Sequence, residues 1–92
     1  MGKAENIVEN YLSQVCKKRD ILCFKFSPMG IRGMPDRILI KDGKVIFVET
    51  KSKDGTLSKQ QKKRIEQIEN EQITVIVAKT KKDIDNVVDT YF

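Results

Sequence analysis

Two β-rich runs, Asp36 to Ile40 and Val45 to Glu49, flank the dipeptide Asp42-Gly43. Asp-Gly between two such runs is a strong short-range signal for a hairpin, because both residues tolerate the positive φ of a two-residue turn. The turn then dictates which residue faces which. With Asp42 and Gly43 at the tip, Lys41 faces Lys44, Ile40 faces Val45, Ile38 faces Phe47 and Asp36 faces Glu49. Directly opposed residues share one face of the sheet, with Cβ atoms about 4.5–5.5 Å apart. The pattern therefore brings two carboxylates together. Lys51, two residues beyond Glu49, joins the same face.

Ile38, Ile40, Val45 and Phe47 line one face of this hairpin, and Leu39, Ile46 and Val48 line the other. A sheet apolar on both sides is expected to be covered on both sides. Two carboxylates opposed at its end repel each other, and burial worsens the repulsion. A divalent cation removes the conflict. Mg²⁺ takes oxygen ligands, commonly one or two carboxylates with phosphate and water. The competing reading is a pair of solvated strand-end acids beside a surface lysine, and a bulge would shift every pairing by one residue.

The rest of the chain builds around the hairpin. Residues 4–19 read as an amphipathic helix, with Ala4, Val8, Tyr11, Leu12 and Val15 at helical spacing and Lys17, Lys18 and Arg19 near its end. Ile21 to Phe26 reads as a strand, and Ser27 to Pro35 as a loop holding both prolines with Gly30 and Gly33. Ser58 to Asn70 reads as a second helix, Ile73 to Ala78 as a buried strand, and Thr80 as the cap of a last helix with Ile84, Val87, Val88 and Tyr91 on one face. The order αβββαβα predicts an α/β protein with a mixed central sheet flanked by helices. Its strand–helix–strand passage from Val45 to Ala78 should be a right-handed parallel crossover. A length of 92 residues suits one domain, 1–92, with a modest core.

Composition narrows the chemistry. Histidine is absent, which excludes Ser-His-Asp hydrolysis, Cys-His nucleophiles and HExxH zinc sites. Any catalysis must rest on carboxylates, lysine, tyrosine, cysteine or a metal. Eighteen Lys+Arg against 13 Asp+Glu give a formal charge of +5, which suits a polyanionic partner and equally suits plain solubility. Cys16 and Cys23 lack the paired spacing of zinc or redox motifs and read as small hydrophobes in a reducing compartment. No stretch approaches the roughly 20 apolar residues of a membrane span. Charged Lys3, Glu5 and Glu9 interrupt any signal-peptide pattern, so a soluble, cytoplasmic protein is expected.

Several residues are candidates to support the hairpin site. On the first helix Glu5 lies at the edge of the apolar stripe, so it is the better candidate, ahead of Glu9, for a carboxylate pointing inward to the metal. Glu9 lies further round toward solvent and reads as an exposed helix acid. Ser58-x-x-Gln61 fits a capping box, while Gln61, Ile65 and Ile68 share an inward face, so Gln61 either closes the helix start or looks into the site. Lys59, Lys62, Lys63 and Arg64 form a basic run, and Arg32, Arg37 and Lys53 add charge near the loop and hairpin. Such charge serves phosphate contacts, or simply solvates a helix face. Gly30 and Gly33 could admit a nucleic-acid backbone or merely make a turn.

Taken together, Gly33-Met34-Pro35-Asp36, Glu49-Thr50-Lys51, Leu57-Ser58-Lys59-Gln60-Gln61 and the leading Glu5-x-x-Val8-Glu9-x-Tyr11-Leu12 helix resemble the virus-type replication-repair nuclease (VRR-NUC) domain of the PD-(D/E)XK nuclease superfamily, in its stand-alone, phage-type form. The resemblance runs from about Glu5 to the last helix. Met34, Thr50 and Lys59 depart from the commoner valine, bulkier apolar residue and proline, and none of them removes a catalytic group.

The resemblance implies a restriction-endonuclease-like fold. It implies Mg²⁺ or Mn²⁺ on Asp36, Glu49 and the Thr50 backbone carbonyl, with Lys51 at the attacking water and Glu5 and Gln61 at the rim. It implies hydrolysis of DNA phosphodiesters to 5′-phosphate and 3′-hydroxyl ends, in branched substrates such as four-way (Holliday) junctions, by a homodimer. No organic cofactor and no membrane enter this picture, and the location is the cytoplasm of a host cell if a phage encodes the chain. Two rivals stand beside it: a DNA-binding module of nuclease fold that does not cut, and a sequence-specific restriction-type enzyme. A short chain leaves the latter little room for a base-reading element.

Overall fold

The computed structural model describes residues 3–92, with side chains from residue 6 onward. Seven elements follow in the order α1 (Lys3–Lys18), β1 (Leu22–Lys25), β2 (Arg37–Lys41), β3 (Lys44–Thr50), α2 (Lys59–Asn70), β4 (Thr74–Ala78) and α3 (Lys81–Tyr91). This is the predicted αβββαβα order.

The four strands form one sheet in the order β1-β2-β3-β4. β1 and β2 are antiparallel, β2 and β3 are antiparallel, and β4 runs parallel to β3 across the α2 connection. The sheet is therefore mixed. At the hairpin tip Asp42 and Gly43 take φ values of 51° and 81°, both in the left-handed region that a type I′ turn needs. The pairing that results is Lys41 with Lys44, Ile40 with Val45, Ile38 with Phe47 and Arg37 with Val48. No bulge intervenes, but the ladder stops at Arg37, one residue short of Asp36.

One face of the sheet carries the core. Leu39, Ile46, Val48 and Ala78 are buried there beneath Val8, Leu12 and Cys16 of α1 and Ile84, Val87 and Val88 of α3. Each fully buried aliphatic side chain contributes roughly 1.5–3 kcal/mol. Val8, Leu12 and Cys16 recur every four residues, which is why α1 lies flat on the sheet. Asp20 ends α1 in a left-handed conformation at φ 56°, and the Ile21 amide returns to the Cys16 carbonyl at 2.9 Å, which seats Ile21 in the core. Thr80 and Asp83 form a capping box that starts α3.

The opposite face departs from expectation. α2 packs over β4 and buries none of its residues. Leu22 and Phe24 of β1 remain 53% and 52% exposed, and Val45 is 36% exposed. The sheet is thus covered fully on one side and only in part on the other. The hairpin's alternation reports two apolar faces but not how far a single 12-residue helix can reach across them.

Candidate active site

The site forms where β2 begins and β3 ends. Its geometry starts from Pro35. In a regular hairpin with this turn, hydrogen-bonded pairs alternate outward from Lys41 and Lys44, so residue 35 would exchange both bonds with Thr50. Proline has no N–H to offer the Thr50 carbonyl. The strand leaves the ladder here, and side chains take over. The Thr50 amide donates to Asp36 Oδ1 at 3.1 Å, and the Thr50 hydroxyl to Asp36 Oδ2 at 2.7 Å. The Asp36 amide donates in turn to Glu49 Oε1 at 3.2 Å. The two carboxylates are neighbours, each tied to the other residue's strand end.

Lys51 and Gln61 complete the cluster. The Lys51 ammonium lies 3.7 Å from Glu49 Oε2, and the Gln61 side-chain nitrogen donates to the same oxygen at 3.1 Å. Gln61 also closes the capping box: its Oε1 accepts from the Ser58 amide at 2.9 Å, while its own amide donates to Ser58 Oγ at 3.1 Å. The two readings of this residue are both realised. One end of the amide starts α2 and the other reaches the acid.

The electrostatics are strained. Glu49 is only 5% exposed. Burial pushes the Asp36 carboxyl above its ordinary value, and the charge of Glu9 adds to the push. Hydrogen bonds from Thr50 and the charge of Arg37 oppose it. All the donors gathered here are hard oxygens. In an extended strand the amide and carbonyl of one residue point to the same edge, so the Thr50 carbonyl opens toward Asp36. Asp36, Glu49 and this carbonyl form a donor set that fits Mg²⁺ or Mn²⁺ and would suit zinc poorly. Among the described residues no cluster of three or more acidic, cysteine or histidine side chains occurs.

Other candidates are placed differently. The Glu5 side chain lies outside the described residues. Glu9 does not face solvent as expected: its Oε2 accepts from Arg37 Nη2 at 2.9 Å and from Arg37 Nε at 3.2 Å, and the two side chains are only 14% and 16% exposed. Arg37 is correspondingly withdrawn from the proposed phosphate surface. A cation on the strand face beneath α1 needs a partner, and Glu9 supplies one. Helical spacing alone could not foresee that pairing. Arg32, Lys53, Lys59, Lys62 and Lys63 are exposed. Gly33 serves the protein itself, since at φ 80° an added Cβ would lie 2.6 Å from the Gln60 carbonyl oxygen. Thr50's hydroxyl contact with Asp36 is the functional detail that sequence reading missed. A hydroxyl in place of a bulkier apolar residue was its only trace.

Comparisons with known proteins point to one family. A profile of the VRR-NUC domain matches residues 3–82. A solved VRR_NUC domain superposes with a TM-score of 0.88 at 24% sequence identity, covering 97% of this chain and 98% of that one. The chain is also 39% identical over 49 residues to "Putative nuclease p44" of Acyrthosiphon pisum secondary endosymbiont phage 1, a match covering 52% of this chain and 53% of the relative. The match thus spans about half the length of the curated relative.

Proposed function

We propose, from the premise that this chain belongs to the VRR-NUC domain family of nucleases, that it is a metal-dependent endonuclease hydrolysing phosphodiester bonds in branched DNA, four-way junctions included. One observation carries the reading. Two carboxylates, Asp36 and Glu49, are tied together where β2 begins and β3 ends, with the Lys51 ammonium 3.7 Å from Glu49 Oε2. Paired carboxylates beside a backbone carbonyl are the hard oxygen ligands that a divalent cation such as Mg²⁺ takes.

Asp36, Glu49 and the Thr50 carbonyl would hold Mg²⁺ or Mn²⁺. Once bound, the ion would lower the pKa of a coordinated water and neutralise charge on the phosphate. The remaining work falls to this chain's own groups. Lys51 orients the attacking water and stabilises negative charge developing on the phosphate oxygens. Gln61 holds Glu49 Oε2 in place, and Thr50 fixes both oxygens of Asp36. The exposed Arg32, Lys53, Lys59, Lys62 and Lys63 supply contacts to the DNA backbone, which position the strand without reading its sequence. The Glu5 carboxylate is a further candidate for the rim.

A homodimer is part of the proposal. The exposed Leu22 and Phe24 of β1 and Val45 of β3 offer an apolar patch for a second copy, and a two-fold pair of sites matches the two equivalent strands of a junction. No described helix is long and apolar enough to cross a membrane.

The test is cleavage of labelled junction, flap, single-stranded and plain duplex DNA with Mg²⁺, Mn²⁺ or chelator. Metal-dependent cutting of the branched substrates is expected, and Asp36→Ala, Glu49→Ala and Lys51→Ala should each lower the rate at least 100-fold. Normal cutting by a folded Asp36→Ala protein would overturn the assignment.

A further inference from the structure

Beside the carboxylates, on the side of β4, an open cleft of about 430 Å³ separates the segment after β3 from α2 and the start of α3. Lys51, Lys62 and Lys79 line it with cationic side chains, and Leu57 and Val77 supply an apolar wall. The acid on its lining, Asp83, is already engaged: its Oδ2 accepts from the Lys79 amide at 2.9 Å and the Thr80 amide at 3.2 Å. The cleft's mobile charge is therefore positive.

We infer that this cleft is a subsite for one nucleotide flanking the phosphate that is cut, and that it takes this nucleotide unstacked from its neighbours. The inference rests on the nuclease reading above and names a specificity element within it. The two halves of the lining match the two halves of a nucleotide. Lys62 and Lys79 meet a phosphate, and Leu57 with Val77 meets the apolar face of a base. The volume lies within the range of small-ligand sites. Lys51 belongs both to the cleft and to the carboxylate cluster, so an occupant of the cleft is continuous with the reacting phosphate.

A second observation points the same way. The first turn of α2 carries no acid, although a helix start favours one, and it holds Lys59 and Lys62 instead. Positive charge at the positive pole of a helix opposes helix stability and favours a bound anion. A base paired and stacked inside a duplex cannot present its face to Leu57 and Val77. An unpaired nucleotide at a branch can, which gives preference for DNA structure without reading sequence.

The experiment uses fluorescence anisotropy in chelator and cleavage with Mn²⁺, on a branched DNA bearing either a normal nucleotide or an abasic analogue beside the cut. The variants are Lys62→Ala/Lys79→Ala, Leu57→Ala and, as a control of equal charge change on α1 across the sheet, Lys17→Ala/Lys18→Ala. The cleft double variant should lose about tenfold in affinity and show a shallower salt dependence, while the control changes less than twofold. The parent should prefer the base-bearing DNA by about tenfold, and Leu57→Ala should lose that preference. Equal behaviour of the two double variants, or no discrimination against the abasic DNA by the parent, would overturn the subsite and leave the nuclease reading standing. A parent that neither binds nor cuts would overturn both.

Discussion

The Asp36 carboxylate is held against its own preference. Burial raises the Asp36 carboxyl above its ordinary value of 3.8, so the folded state binds its proton more tightly than the unfolded chain does. Stability then falls as pH rises through the window from 3.8 to the raised folded value, and Asp36 is a net cost at neutral pH. Asp36→Asn keeps acceptor and donor positions for Thr50 and removes the charge. In chelator it should melt a few degrees above the parent at pH 7, with the gap closing below pH 4, while cutting is abolished. A lower melting temperature would contradict the sign. Gln61 is separable in the same spirit. Gln61→Glu retains the acceptor for the Ser58 amide but sets a second carboxylate against Glu49 Oε2, 3.1 Å from the present nitrogen. Cleavage should fall roughly tenfold, equivalent to about 1.4 kcal/mol, with helix content unchanged. Gln61→Ala should lose activity and stability together. The Asp36–Glu49–Lys51 grouping was accessible from spacing alone, because turn register and strand alternation are local. Glu9 was not, because its direction depends on Arg37 from another element.

At the level of elements, the loop between β1 and β2 is docked onto α2. The Arg32 carbonyl accepts from Arg64 Nε at 3.1 Å, and Gly33 lies against the Gln60 backbone. This contact links Pro35 and Asp36 to the helix that carries Gln61. Gly33→Ala must both adopt a positive φ and displace a backbone carbonyl, whereas Gly30→Ala meets nothing within 4 Å. The first should cost about 2–3 kcal/mol in chemical denaturation and lower cutting, and the second only about 1 kcal/mol. Equal costs would show that the docking contact is not maintained. The Ser58–Gln61 capping box and the Thr80 cap were legible as sequence patterns, and so was the hairpin register as far as Arg37. The departure at Asp36 follows from proline's missing donor, and Thr50 donates instead to the Asp36 side chain.

Across the whole molecule, the asymmetry of the sheet is the main consequence of the fold. α1 and α3 seal one face, and α2 leaves the β1 and β2 end of the other open. If that surface joins two copies, Phe24→Asp should convert a dimer to a monomer in sedimentation at micromolar concentration and lower junction cleavage while leaving single-site DNA cutting measurable. A parent that sediments as a monomer and still cleaves junctions would remove the dimer from the proposal. The order of elements, the turn at Asp42-Gly43 and the closeness of Asp36, Glu49 and Lys51 were written in the sequence, since each depends on residues near in the chain and on fixed periods of helix and strand. The engagement of Glu9 by Arg37, the joining of Gln61 to Glu49, the cleft between Lys51 and Lys79 and the uncovered apolar face were decided only by tertiary structure. They depend on the distance and angle between elements, which packing fixes and local spacing does not encode.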